Sequence, residues 1–227
     1  MVAVTGSSVP ALGTDELYRF FRTAQEETAA LRGVALTVWA GEFVAVAGPS
    51  GSGKSTLLQC LAGLDDPDGG SVRVCGELIS HQPQSRRTRI RARLIGMLFQ
   101  QGNLFDHLTV AENIRLVRTL SGVRVSKSGA PAVLGEVGLS GLGNARPAQL
   151  SGGELARAGL AVVLANSPSV LIADEPTGEL DPAAEHHLLF LLRRRCTHGT
   201  AVVVASHSPA VRAAADRVLE LCDGRMR

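Results

Sequence analysis

The sequence predicts an α/β domain, and three observations carry the prediction. Three apolar runs rich in β-branched residues, EFVAVAG at 42–48, SVLIADE at 169–175 and TAVVVASH at 200–207, show no polar–apolar alternation. That is the pattern of parallel strands buried on both faces. Helical patterns follow them, KSTLLQCLAGL after the first and AAEHHLLFLLRRRC after the second, the latter stopped by Gly199, a residue suited to the left-handed position past a helix end. Between the first strand and its helix lies GPSGSGKS at 48–55, which fits G-x-x-x-x-G-K-[ST] in full. Strands alternating with helices imply a mostly parallel sheet covered by helices. With 227 residues, 45% of them hydrophobic, the chain can bury a sizeable core as one domain spanning 1–227.

Along the chain, the opening MVAVTGSSVPALG lacks the basic and apolar regions of a secretory signal, and the N-terminus is expected to be mobile. The region from about 15 to 40 and SVRVCGELI at 71–79 read as shorter strands, with turn signals in DDPDGG. They predict a small antiparallel sheet beside the core. From about 86 to 165 the pattern turns helical and polar, from RRTRIRARLIG to QLSGGELARAGL. This predicts an inserted helical subdomain, which leaves the core and its β subdomain to about 14–85 and 166–227.

Composition narrows the partners. A net charge of +2 from 23 basic and 21 acidic residues is no footprint of a dedicated nucleic-acid binder, and RRTRIRAR reads as a solvated helix face. Cys60, Cys75, Cys196 and Cys222 are scattered, without a metal or disulfide spacing, and read as buried thiols of a reducing compartment. No apolar run reaches the ~18 residues needed to span a bilayer. The best candidate, AGLAVVLANSPSVLIADE, is cut by Asn166, Ser167 and Pro168. A cytosolic chain that meets a membrane only through another polypeptide is expected.

The chemistry concentrates at strand ends. In the glycine-rich loop, Gly48, Pro49, Ser50, Gly51, Ser52 and Gly53 let backbone N–H groups face phosphates, with Lys54, Ser55 and Thr56 opening the helix behind them. Lys54 is predicted to reach the β- and γ-phosphates, and the Ser55 hydroxyl to ligate Mg²⁺. SVLIADE ends in Asp174 and Glu175, whose side chains should point to opposite faces or diverge where the strand stops. Asp174 is assigned to Mg²⁺, directly or through water, and Glu175 to polarising the attacking water as general base. His207 ends a parallel strand at the same sheet edge and is expected to hydrogen-bond the γ-phosphate. A second anion site appears in QLSGGELARAGL: Ser151, Gly152 and Gly153 precede a helix-like run, where the N–H groups and dipole attract an anion. Ser151 with Glu154 also makes a capping box, and both readings can hold together.

With LSGGE at 150–154 in place, the chain resembles the nucleotide-binding subunits of ATP-binding cassette (ABC) transporters over almost its whole length. The resemblance implies a P-loop NTPase (RecA-like) core with an antiparallel β subdomain and an inserted α-helical subdomain. It implies that ATP and Mg²⁺ are bound between two copies, or two related subunits, associated head to tail. Ser151, Gly152 and Gly153 of one copy would then grip the γ-phosphate held by Lys54 of the other. FQQGNLFDHLTVAENI at 99–114 resembles the Q-loop, with Gln100, after Phe99, touching Mg²⁺ and the attacking water, and later residues facing a membrane partner. Asp181 in PTGELDP matches the aspartate that crosses the dimer interface, while Glu179 stands where relatives carry Asn or a small residue. Asp181 followed by Pro182 is also a good N-cap pair. Phe21 falls at the adenine-stacking position, with Tyr18 and Phe20 beside it. In the signature helix Arg157 matches the family's first arginine and Val162 replaces the second.

The wording LTVAENI and PTGxLD resembles the lipoprotein-release, macrolide-export and cell-division branch. The expectation is a motor subunit at the cytoplasmic face of the membrane, driving an integral permease. A non-transporting relative regulating a cell-wall enzyme is the alternative, followed by a soluble ATPase acting on DNA or ribosomes. A small-molecule kinase is opposed by the signature and the Asp-Glu pair.

Overall fold

The computed structural model describes residues 9–22, 27–122 and 129–227. The first eight residues, where a mobile segment is expected, lie outside them. Two sheets organise the rest. Strands β1 (Leu12–Arg22) and β2 (Glu27–Val38), then β3 (Phe43–Ala47), helix α1 (Lys54–Leu61), and strands β4 (Gly69–Val74) and β5 (Glu77–Leu78) form the first part of the chain. Of these, β1, β2, β4 and β5 make an antiparallel sheet in the order β2-β1-β4-β5. The expected small sheet is present, with strands of 11 and 12 residues where shorter ones are predicted.

Next come α2 (Gln84–Leu94), β6 (Ile95–Leu98), α3 (Val110–Leu120), α4 (Gly129–Glu136) and α5 (Gly152–Leu164). The chain closes with β7 (Val170–Asp174), α6 (Pro182–Thr197), β8 (Ala201–Ala205), α7 (Pro209–Ala214), β9 (Arg217–Cys222) and β10 (Arg225–Met226). The second sheet runs β10-β9-β3-β8-β7-β6, parallel throughout except for the β9–β10 hairpin. Each central strand sends alternate residues into two different cores. Phe43, Ala45, Leu171, Ala173, Val202 and Val204 meet α3 to α7 on one face. Val44, Val46, Val170, Ile172, Ala201 and Val203 meet α1 and the antiparallel sheet on the other. Burial on both faces is why these runs carry no polar alternation.

Two features depart from the sequence expectation. The stretch expected to be helical from about 86 contains β6, which pairs with β7 and belongs to the core sheet. Four residues following α2 without a turn carry too little pattern to mark a strand. Helix α5 covers β6 so closely that a Cβ on Gly96 would stand 2.4 Å from Val163. The cysteines also divide. Cys60 and Cys196 are buried, and burial pushes their thiols up to about 12 and about 11. Cys75 is exposed and Cys222 half-buried, so buried thiols describe only two of the four. Within α2, Arg87 pairs with Asp66 at 3.0 Å, Arg91 donates to Gly63 O at 2.8 Å and Arg93 pairs with Glu77. Three arginines of the basic run thus serve the chain itself.

Candidate active site

Six residues connect β3 to α1, and sterics force their path. A Cβ on Gly48 would lie 2.0 Å from Leu221 O, and one on Gly53, at φ +103°, 2.3 Å from Ala30 O. The loop is therefore pressed against β9 and β2, a fit only glycine allows. Helix α1 starts without a capping side chain and without an acid in its first turn. Its leading N–H groups are left for a ligand, which is the condition for an anion site. Lys54 is buried (8% exposed), and its Nζ donates to Gly48 O at 2.8 Å and Pro49 O at 3.0 Å, 3.2 Å from His207 Nε2.

These groups open on a cleft of about 690 Å³, within the range of roughly 300–1,000 Å³ usual for small-molecule sites. Phe21, Ser50, Gly51, Gly53, Lys54, Ser55, Thr56, Gln100, Asp174, Glu175 and His207 all line it. Residues separated by more than 150 positions meet because β3, β7 and β8 are neighbours whose C-terminal ends share one edge. Gly48, Pro49 and Ser52 of the same loop do not line the cleft; Pro49 is exposed and Ser52 is buried, 4% exposed. Thr28, Ala30, Arg32, Gly178 and Asp223 also line it. Sequence reasoning missed them: Thr28, Ala30 and Arg32 reach the cleft through the pairing of β2, Asp223 through the β9–β10 turn and Gly178 through the loop after β7.

Both carboxylates face the cleft rather than opposite sides of the sheet. The cause is backbone: Glu175 takes φ +44°, which breaks the strand alternation after Asp174. A left-handed non-glycine residue stores about 1–3 kcal/mol, a strain that clusters at functional positions. Glu175 Oε2 accepts from Ser206 Oγ at 2.9 Å and His207 N at 3.3 Å. Its Oε1 is buried without a hydrogen bond, 3.6 Å from His207 Nε2.

Of the three adjacent aromatics, Phe21 alone lines the cleft. The Arg19 guanidinium lies 4.9 Å from its ring centroid, held by Asp65 at 2.8 and 3.0 Å and Asp68 at 3.1 Å. The ring is still 43% exposed, which leaves surface to stack on a base. Tyr18 instead stacks on Phe20 and covers Gly33.

The remaining sites lie elsewhere. Ser151 N-caps α5 in the expected capping box: its hydroxyl donates to Glu154 Oε2 at 2.8 Å and its N–H at 2.9 Å. That backbone bond, then the hydroxyl, holds the Glu154 carboxyl below its usual range. Asp181 N-caps α6. None of Ser151, Gly152, Gly153 and Asp181 lines the phosphate-loop cleft. Gly152 borders a second cavity of about 320 Å³ with Gln100, Gln101, Leu155, Glu175 and Glu179. There the Glu179 carboxylate accepts from Gln101 Nε2 at 2.7 Å and from Gln100 Nε2 at 3.4 Å, tying the two loops together.

Known proteins share this architecture. The family model described as ABC transporter matches residues 31–178. The lipoprotein-releasing system ATP-binding protein LolD 2 of Caulobacter vibrioides is 39% identical over 222 residues, 96% of this chain and 97% of that protein. The macrolide export ATP-binding/permease protein MacB of Azoarcus is 36% identical over 224 residues, 98% of this chain but 34% of that protein. The chain thus spans about a third of the MacB relatives it matches. The dimeric structure of MJ0796, a bacterial ABC transporter cassette, superposes with a TM-score of 0.87 at 34% identity, covering 95% of this chain and 96% of that one. Glycine-rich loop, Asp-Glu strand end, histidine strand end and signature helix are joined in one scaffold that these relatives share, and the chain belongs to the ABC transporter family, of which it is an ATPase cassette.

Proposed function

We propose that two copies of this cassette, or one copy and a related subunit, close head to tail around ATP and power an integral membrane permease. One observation carries the reading: the cleft holding Lys54, Asp174, Glu175 and His207 lacks the signature residues, which lie outside it on α5. Each copy therefore offers two half-sites that a second copy can complete. MJ0796, solved as a dimer, and a dimeric state of it bound to ADP and Pi support the assembly.

The geometry supports the following roles. Lys54 and the open amides of α1 bind the β- and γ-phosphates, and Phe21 stacks on the adenine. His207 hydrogen-bonds the γ-phosphate from the edge of β8. Glu175, with its unbonded Oε1, polarises the attacking water. Ser151 and the N–H groups of Gly152 and Gly153 grip the γ-phosphate from across the interface, beside Asp181. The Ser151 hydroxyl has to turn away from Glu154 to do so.

Residues present fit Mg²⁺. Ser55, Gln100 and Asp174 line one side of the cleft and supply oxygen donors, the chemistry a hard cation takes. No group of three His, Cys, Asp or Glu lies together among the described residues, so Ser55, Gln100 and Asp174 would hold the ion together with water or substrate oxygens. When bound, Mg²⁺ would supply positive charge that offsets the charge of the phosphates.

The face toward a permease is the one around the second cavity. Phe99, Phe105 and Leu155, 41%, 55% and 39% exposed, crowd this end of the helical layer. Among the described residues no helix is long and apolar enough to cross a membrane. The names of LolD 2 and MacB place those proteins in lipoprotein release and macrolide export, and a membrane-associated position at the cytoplasmic face follows for this cassette by analogy.

Complementation tests the shared site. Lys54→Ala and Ser151→Ala chains are each expected to be nearly inactive, whereas their mixture regains ATPase activity, because a mixed dimer contains one intact pair of half-sites. A mixture as inactive as its components, although the chains associate, would refute the head-to-tail arrangement.

A further inference from the structure

Ser206 is the residue just beyond β8, 2% exposed, and its N–H is bonded to Val46 O at 3.2 Å. Its hydroxyl oxygen accepts from Ser208 N at 3.1 Å and stands 2.9 Å from Glu175 Oε2. Ser208 N is a donor, and an ionised carboxylate can only accept, so the Ser206 proton has to point at Glu175. Ser208 is itself fixed, since its Oγ donates to Glu185 Oε1 at 2.6 Å and accepts from Ala210 N at 3.1 Å. The orientation of the Ser206 hydroxyl is thus locked from both sides.

The two donors to the Glu175 carboxylate, Ser206 Oγ and His207 N, fall on one oxygen. The other, Oε1, is buried without a hydrogen bond, 3.6 Å from His207 Nε2, on a residue that lines the cleft. The left-handed backbone at Glu175 removes the strand geometry that would otherwise aim the side chain.

We propose that Ser206 is a positioning residue for ATP hydrolysis: by donating to Oε2 it holds the Glu175 carboxylate in the rotamer that presents Oε1 to the attacking water. The inference rests on Glu175 being the general base. Nothing in the sequence marks Ser206, which reads as the end of an apolar strand. Its role arises because β7 and β8 are neighbours in the sheet.

The test measures kcat and KM for MgATP and the nucleotide Kd on the full chain for Ser206→Ala, Ser206→Thr, Glu175→Gln and the Ser206→Ala/Glu175→Gln double variant. Ser206→Ala is expected to lower kcat about tenfold or more, with KM and Kd within about twofold, the scale of losing a donor to a charged acceptor. Ser206→Thr keeps the hydroxyl and stays near wild type. In the Glu175→Gln background, Ser206→Ala costs nothing further. Wild-type kcat in Ser206→Ala overturns the proposal, as does a threonine variant as slow as the alanine one. Loss of nucleotide binding together with turnover in Ser206→Ala makes the residue structural and overturns it as well. If Glu175→Gln alone hydrolyses ATP at the normal rate, the base assignment itself fails, which is a different result from an inert Ser206.

Discussion

Replacing Asp181 separates its helix cap from the contact proposed for it across the interface between copies. Its Oδ1 accepts from Ala183 N and Ala184 N, both at 2.9 Å, while Pro182 has no N–H to satisfy and Glu185 N bonds to Asp181 O. Asp181→Ala thus orphans two amides, but at an exposed helix end where water can replace the acceptor. The cost is that of a lost N-cap plus part of its favourable charge at the helix terminus, about 1.5 kcal/mol together. For a chain of this size it amounts to a fall of roughly 3–6 °C in Tm. Asp181→Asn keeps the acceptor and loses only the charge, about 0.5 kcal/mol. Either loss leaves the chain folded at 25 °C given a typical stability of about 5–15 kcal/mol, so capping alone predicts unchanged kcat in both variants. A carboxylate that also crosses the interface between copies predicts a fall in turnover of several-fold or more in Asp181→Asn. Calorimetry paired with steady-state ATPase assays distinguishes the two roles. Wild-type turnover in the asparagine variant would refute the interface role and leave Asp181 a helix cap.

Other perturbations test the phosphate loop and the scaffold behind it. Lys54→Ala removes the buried cation proposed to bind the phosphates and should weaken ATP binding by at least about tenfold; an unchanged Kd in nucleotide titration argues against that contact. Gly53→Ala puts a Cβ 2.3 Å from Ala30 O, so β2 must shift and ATP binding should fall together with denaturant stability, by about 1–3 kcal/mol. Gly51→Ala meets no atom within 4 Å and should cost only the left-handed strain, about 1–2 kcal/mol; equal losses would mean that sterics at Gly53 are not what shapes the loop. Asp216 accepts from Arg193 at 2.6 and 2.7 Å and from Phe43 N at 2.8 Å. The Arg193 hydrogen bonds, assisted by Phe43 N, hold its carboxyl below the usual range. A lowered folded pKa means this stabilisation is present above the ordinary carboxylate pKa of about 3.9 and lost as pH falls through the folded value. The stability gap between wild type and Asp216→Asn should therefore be full at pH 6 and shrink in acid, as urea unfolding across pH would record.

Local spacing made the phosphate loop legible. Six residues between a strand and a helix dictate that Lys54 and Ser55 open α1, and no distant contact is needed to say so. The same holds for the Ser151 and Asp181 caps, each written within four residues. The apolar runs 42–48, 169–175 and 200–207 announce buried parallel strands because a sheet covered on both faces tolerates no polar alternation. Only the tertiary structure decided what those strands bring together. Strand β6 is too short to signal itself and exists through pairing with β7, some 75 residues on. Glu175 and Asp174 share a face through a left-handed turn that a strand pattern does not foresee. Ser206 finds Glu175, and Glu179 finds Gln101, across separations of 31 and 78 residues. A sequence states what each residue can donate, accept or bury. Which partner it meets is set by the strand order, because pairing between distant segments is decided by the whole core at once and not by the residues on either side.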